Sequence, residues 1–159
     1  MFSIAAQLIL GLLYANAGEW VMHKHILHGL GKNRRSFWAY HCYEHHVIAA
    51  KNAMLDPGYR HLTLTAWNAQ TKELIVLAGI ILLHAPLLIV LPAFTEALYV
   101  SLIIYYCKHR KAHLDPAWAK QHLPWHYDHH LGGHSLANWC ITWPWCDYVM
   151  GTRVKSKAP

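Results

Sequence analysis

Eleven of the fifteen histidines stand in four short groups, ten of them at the spacings of a ligand set: His23-Lys-His-Ile-Leu-His28, His41-Cys-Tyr-Glu-His45-His46, His109-Arg-Lys-Ala-His113 and His126-Tyr-Asp-His129-His130. In shorthand these are HX4H, HX3HH, HX3H and HX2HH. Histidine is sparse in an ordinary core, where each ring finds its own hydrogen-bond partner. Imidazoles gathered in groups have one common physical use, the binding of a metal ion by neutral ring nitrogen. A zinc-type site closes at four ligands, so ten rings are too many for one ion. Two ions with about five ligands each fit the number better. The expected ligands are His23, His28, His41, His45, His46, His109, His113, His126, His129 and His130. All-nitrogen ligation joined to redox chemistry points to two iron ions, with zinc as an alternative occupant.

Helix geometry decides which rings can share an ion. Positions four apart differ by about 40° around a helix, and positions three apart by about 60°. His109 and His113 therefore share a face, as do His126, His129 and His130. His41 shares a face with His45, and His46 points further round. His23 and His28 are about 140° apart on a regular helix and converge only where the helix is bulged, overwound or ending. His25 faces away from His23 and is read as a non-ligand. His61, His84 and His122 stand outside the groups and are read as packing or hydrogen-bonding residues. His134, Glu19, Glu44, Asp147 and Asn138 are candidates to support the ligands from behind. Asp115 and Asp128 are read instead as surface ion-pair partners.

The charge map shows which elements must bring these groups together. The chain has 159 residues, 55% hydrophobic and 14% charged, with a net charge of +6. All fourteen Lys and Arg fall within 24–72 or 108–157, and none falls within 1–23 or 73–107. Those two gaps are also the apolar stretches. A helix needs roughly 20 residues to cross a bilayer core. The first gap supplies one span, 2–22. The second supplies two, 73–91 and 93–109, with a turn from Pro92 to Glu96. One side then holds every basic residue, as the positive-inside rule requires. The N-terminus is expected outside, and a cap of 24–72 and 110–152 in the cytoplasm, followed by a tail of 153–159. Each histidine group then lies at or just beyond the cytoplasmic boundary.

The expected fold is all-α: an integral membrane helical bundle of three spans, with a histidine-rich cap holding a dinuclear metal site, in a single domain over 1–159. A re-entrant helix around 36–50 would make a fourth membrane element. Ala15-Asn16-Ala17 has the form of a signal-cleavage site, but no basic residue precedes the apolar run. A soluble core hairpin over 74–107 would need another apolar segment to cover it. The apolar content excludes disorder. The basic residues do not form the face on a soluble body that nucleic acid requires. Cys42, Cys107, Cys140 and Cys146 form neither CxxC nor a disulfide framework.

The four groups, in this order, resemble the histidine boxes of the membrane-bound di-iron fatty acid hydroxylase superfamily, which includes sterol desaturases and carotenoid hydroxylases. The stretch His23 to Gly29 is similar to the first box of bacterial carotene hydroxylases. The stretch Asn138-Trp-Cys-Ile-Thr-Trp-Pro-Trp-Cys-Asp147-Tyr-Val-Met-Gly151-Thr152 is similar to the closing segment of lipid hydroxylases. The likeness runs from about Glu19 to Thr152. Box two departs from the usual HX2HH of the hydroxylase branch, and Cys42 stands where that branch has a further histidine. Asp56-Pro-Gly-Tyr-Arg60 loosely echoes a Pro-x-Asp-x-x-Arg element.

The resemblance implies O2-dependent hydroxylation of an unactivated C–H bond in a membrane lipid, with a fatty acyl lipid first. Carotenoid or sterol substrates, or desaturation, are the alternatives within the superfamily. The metal would carry the chemistry, with O2 as co-substrate. The chain has no flavin, nucleotide, Fe–S or haem motif, so a separate ferredoxin, cytochrome or reductase is expected as electron donor. Lys108, Arg110, Lys111, Lys120, Arg153, Lys155 and Lys157 are read first as attraction to anionic lipid. A docking face for an acidic carrier is the second reading. Trp118, Trp125, Trp139, Trp143 and Trp145 suit an interfacial belt or the packing of the cap.

Three rivals follow from other classes. A membrane metal transporter would place ligands near the mid-membrane, where only His84 stands. A haem protein would pair histidines within spans. A zinc hydrolase would carry H-E-x-x-H, which is absent. Oligomeric state is not legible in the sequence.

Overall fold

A computed structural model describes residues 2–61 and 64–155. Among these residues all regular structure is helical. Helix α1, Ile4–Val21, begins at Ser3, whose hydroxyl accepts the Ala6 N–H at 3.2 Å. It continues without a break through a π turn, Met22–Leu27, and closes on a 3-10 turn, Leu30–Lys32. This unbroken stretch, Ile4–Lys32, is the one described helix long and apolar enough by itself to cross a bilayer.

A second π turn, His41–His45, leads into the short α2, His46–Lys51. The fourth membrane element expected around 36–50 is therefore two short helical pieces. Helix α3, Ala69–His84, is capped by the Asn68 side chain, which accepts the Thr71 N–H at 2.9 Å. Pro86 then interrupts the hydrogen-bond ladder and α4, Leu87–Val90, follows. Pro92 sits at the start of α5, Pro92–Leu114, where a missing N–H costs nothing. The hairpin thus turns at Leu91 rather than over 92–96, because Pro92 opens a helix instead of ending one. Helices α6, Pro116–His122, and α7, Pro124–Leu131, also open on proline, and α8 spans Trp145–Val149.

Helices α1 and α5 pack along each other. A Cβ at Gly11 would lie 2.5 Å from the Phe94 carbonyl oxygen and 2.9 Å from the Ala97 Cβ. Gly11, with buried Ala93 and Ala97, lets the two backbones close. Gly11→Leu must wedge them apart and should cost about 1–3 kcal/mol, the usual penalty of overpacking. A lower unfolding temperature in detergent would show it. The outward faces are apolar and open: Ile4 is 71%, Leu83 76% and Ile89 86% exposed.

At the other end lies the cap. Met54, Ala112, Ala119, Leu123 and Ile141 form its buried core under α6 and α7. A second cluster, Trp20, Trp139, Cys140 and Cys146, binds the C-terminal segment to α1. Glu19 on α1 accepts the backbone N–H groups of Ile141 and Thr142 and the Thr142 hydroxyl. Asn16 donates to the Trp143 carbonyl at 2.9 Å.

Candidate metal centre

The two π turns decide how the histidines meet. In a π turn the N–H of residue i+5 bonds the carbonyl of residue i, so residues five apart stack on one face. The His28 N–H bonds the His23 carbonyl at 2.9 Å, and the His46 N–H bonds the His41 carbonyl. The bulge required for His23 and His28 is therefore present, and their rings lie 5.1 Å apart. The same device corrects the second group. His41 pairs with His46 rather than His45, with ring centroids 4.7 Å apart. A regular helix would have given the opposite partner.

Two nitrogen clusters result. His23, His28, His41, His46 and His129 bring one ring nitrogen each within 4.8 Å of one another. Their closest Nε2···Nε2 separations are 3.0–3.2 Å. The second cluster is His45, His109, His113 and His130. His126 stands beside it, its Nε2 3.3 Å from that of His113. The clusters adjoin where the His46 and His130 rings stack at 4.3 Å. All ten predicted ligands thus converge. Each His-His doublet straddles the centre: His45 and His130 serve one cluster, His46 and His129 the other. The expectation that His126, His129 and His130 face one way gives way here, because a step of about 100° separates neighbouring helical residues.

The rings fit a metal better than they fit one another. His23, His129 and His113 direct Nδ1 at the carbonyls of Trp139, Ala137 and Met54, the last two at 2.7 and 2.9 Å. A carbonyl only accepts, so Nδ1 carries the proton and Nε2 presents a bare lone pair. Several such lone pairs converging repel unless a cation lies between them. An ion holding nitrogens at about 2.1 Å sets adjacent ligands about 3.0 Å apart, near the spacing in the first cluster. His130 has both ring nitrogens buried without a hydrogen-bond partner, and a metal bond would satisfy one of them. In the cap, burial above all, then the charge of neighbouring rings, holds His41, His45, His46 and His130 well below the usual imidazole range. Burial likewise lowers His113, His126 and His129. The rings are neutral, the form that binds metal.

Two acids outside the expected set, Glu73 and Asp56, stand behind the ligands. Glu73 accepts the His109 Nδ1–H at 2.6 Å and the Tyr59 hydroxyl at 2.6 Å. Burial and Glu73 push the Tyr59 phenol up, so it keeps the proton it donates. Asp56 lies 3.9 Å from His45 Nδ1 and accepts from Gln70 and the Gly58 N–H. Glu73 went unmarked in the sequence. Its signal was a lone acid at the cap end of an apolar run.

Of the expected supports, Asp147 acts on a ligand through a carbonyl and the others have other duties. Glu19 binds the C-terminal segment, and Glu44 pairs with Lys72 at 2.6 Å. His134 belongs to neither cluster. Asn138 accepts the Val154 N–H at 2.9 Å. Asp115 caps α6 through the Trp118 N–H. Asp147 accepts the N–H groups of Trp139 and Cys140, both at 2.9 Å, and so fixes the carbonyl that orients His23. Asp147→Ala should therefore cost about 10–100-fold in metal affinity, as the loss of other orienting groups does. Competition with a chelator would measure it.

Among the remaining residues, His25 is exposed, His122 stacks on Trp118, and His61 is exposed. Trp139 is buried and Trp125 donates to the Ile141 carbonyl, so these rings pack the cap, whereas Trp143 is exposed. Lys108, Arg110 and Arg153 are engaged with the Thr142 carbonyl, the Tyr59 carbonyl and Asn138. Lys111 lies over Trp118 and Lys120 over Tyr127. Lys155 is exposed, and Lys157 lies outside the described residues.

A cavity of about 340 Å³ runs from the centre between α1, α3 and α5. His23, Tyr40, Glu73 and Tyr105 line one end, and Tyr14, Leu83 and His84 the other. Val76, Leu77, Ile80, Leu98 and Leu102 make its walls apolar. Comparison with known proteins finds no matching family model, no similar curated protein and no similar solved structure.

Proposed function

We propose that the chain is a membrane-embedded di-iron oxygenase that hydroxylates a C–H bond of a lipid, in the first instance an acyl chain. One observation carries this reading: an apolar cavity between three apolar helices reaches His23, a member of the first of two adjoining all-histidine clusters. In this reading α1, α3 with α4, and α5 as far as about residue 109 are the three spans. Their open apolar faces suit lipid contact, and such patches are rare on soluble monomers. The basic residues gather at the cap end, which supports a cytoplasmic cap and an outside N-terminus. The likeness of the histidine boxes to the fatty acid hydroxylase superfamily supports the same chemistry.

His23, His28, His41, His46 and His129 would hold one ion. His45, His109, His113 and His130, with His126, would hold the other. When bound, the two irons supply the redox chemistry by which O2 attacks an unactivated C–H bond. The protein does the rest. Glu73 holds the proton on His109 Nδ1 and fixes that ring. The aliphatic walls grip an apolar chain, exclude water and lead it to His23. Electrons come from a separate carrier. A metal transporter would need a continuous polar route onward from the ligands, and the cavity walls are mainly aliphatic.

The test combines metal analysis of the purified protein with lipid mass spectrometry of expressing cells under ¹⁸O2. The expected result is about two metal ions per chain, in keeping with two clusters of four to five ligands, and a lipid that gains one labelled oxygen. Protein free of bound metal, or lipids identical with and without the chain, would overturn the reading.

A further inference from the structure

The end of the cavity remote from the metal centre is not wholly apolar. Tyr14 lies nine residues before His23, roughly 13 Å along the helix. Ser101 on α5 lies eight residues before His109, roughly 12 Å. Both line the cavity, as does His84. On the proposed topology these groups sit at mid-bilayer depth, where polar side chains are expensive and usually functional.

Their hydrogen bonds fix what they can offer. His84 Nδ1 lies 2.8 Å from the Ile80 carbonyl oxygen, so this nitrogen is the donor. In the neutral ring Nε2 is then an acceptor, and the Tyr14 hydroxyl, 2.9 Å away, donates to it. The Ser101 hydroxyl donates to the Ala97 carbonyl at 2.8 Å. Both hydroxyl protons are committed, and both oxygens keep lone pairs. Each oxygen thus presents an acceptor to the cavity and no free hydroxyl donor. A ligand group that suits it must donate.

We propose that Tyr14 and Ser101 bind a hydroxyl group of the substrate, roughly 13 Å from the carbon presented to the metals. The enzyme would thus select an aliphatic lipid that already carries an alcohol. This rests on the lipid-oxygenase reading and names the substrate class within it. The product would carry two oxygen functions, separated by the length of the cavity.

The test uses the full chain, metal-loaded, in detergent micelles. Two photoreactive probes share one saturated chain with a mid-chain diazirine. One ends in a primary alcohol, the other in the methyl ether, which accepts but cannot donate. The alcohol should label peptides of α1 and α3 at about fivefold lower concentration than the ether, the worth of one ordinary hydrogen bond. Tyr14→Phe combined with Ser101→Ala should abolish that preference while metal content is retained. Equal labelling by the two probes in the unaltered protein would overturn the proposal, whether or not the variants fold. So would a preference that survives the double substitution, leaving Tyr14 and His84 as a tie between α1 and α3. Oxygen incorporation is read separately. Alcohol preference without ¹⁸O product would keep the subsite and remove the oxygenase reading, and labelled product without alcohol preference would do the reverse.

Discussion

His45→Ala and His46→Ala, adjacent in the chain, are expected to empty different halves of the metal centre. The His45 Nε2 lies 3.3 Å from that of His109, whereas the His46 Nε2 lies 3.1 Å from that of His28. Each single variant should keep about one ion per chain, since the other cluster retains its ligands. Labelled-lipid formation should fall by more than about 100-fold, because loss of an orienting group behind a ligand already costs 10–100-fold. Pairs of substitutions give the sharper result. His46→Ala with His129→Ala removes two ligands of one cluster and should still leave about one ion. His45→Ala with His129→Ala strikes both clusters and should leave almost none. Metal analysis that fails to separate these two pairs would refute the division of the doublets.

Acidification should release the metals and destabilise the cap together. Seven cap imidazoles, those of His41, His45, His46, His113, His126, His129 and His130, are held below their ordinary value of 6.5 by burial first. The folded values lie below the unfolded one, so as pH falls the unfolded chain takes up protons first. Stability is therefore full above pH 6.5 and declines below it, by up to about 1.4 kcal/mol per pH unit for each ring. Metal binding pulls in the same direction, because only neutral rings ligate. Unfolding temperature and retained metal, followed from pH 7.5 to 5, should drop together. Metal-stripped protein should show the same sign of dependence from a lower starting point. Constant stability and metal content down to pH 5 would contradict the enclosed, neutral state of these rings.

The sequence shows the convergence of the ten histidines because residue type and clustering alone reveal it. The all-helical fold and the apolar character of residues 4–21 are legible from composition and the charge gaps. The partition of the ligands is not. It depends on two π turns, and the step from i+4 to i+5 pairing leaves no mark in the residues themselves, since Lys24 and Cys42 are ordinary helix occupants. Spacing did flag His23 and His28, whose separation no regular helix could close. His41, His45 and His46 raised no such alarm, because an i+4 pair was available as a false solution. Glu73 and Asp56 escaped for a different reason. Their partners His109 and His45 are 36 and 11 residues away in the chain, and only the docking of α3 and the 52–60 loop against α5 brings them near. The hydrogen bonds of Glu19 and Asp147 were also invisible, since both satisfy backbone groups of an irregular segment.

The position of the two π turns bears on how the protein matures. Both lie past the apolar part of α1, at the water-facing end of the proposed bundle. A π turn is a poorer repeat than an α turn and is rare without compensation. On the proposed reading the apolar helices would enter the bilayer while both turns are still loose, and ion capture would be a later event on the aqueous side. A cell short of iron would then accumulate correctly inserted but immature chains. Amide exchange confined to residues 22–28 and 41–46 would mark that pool.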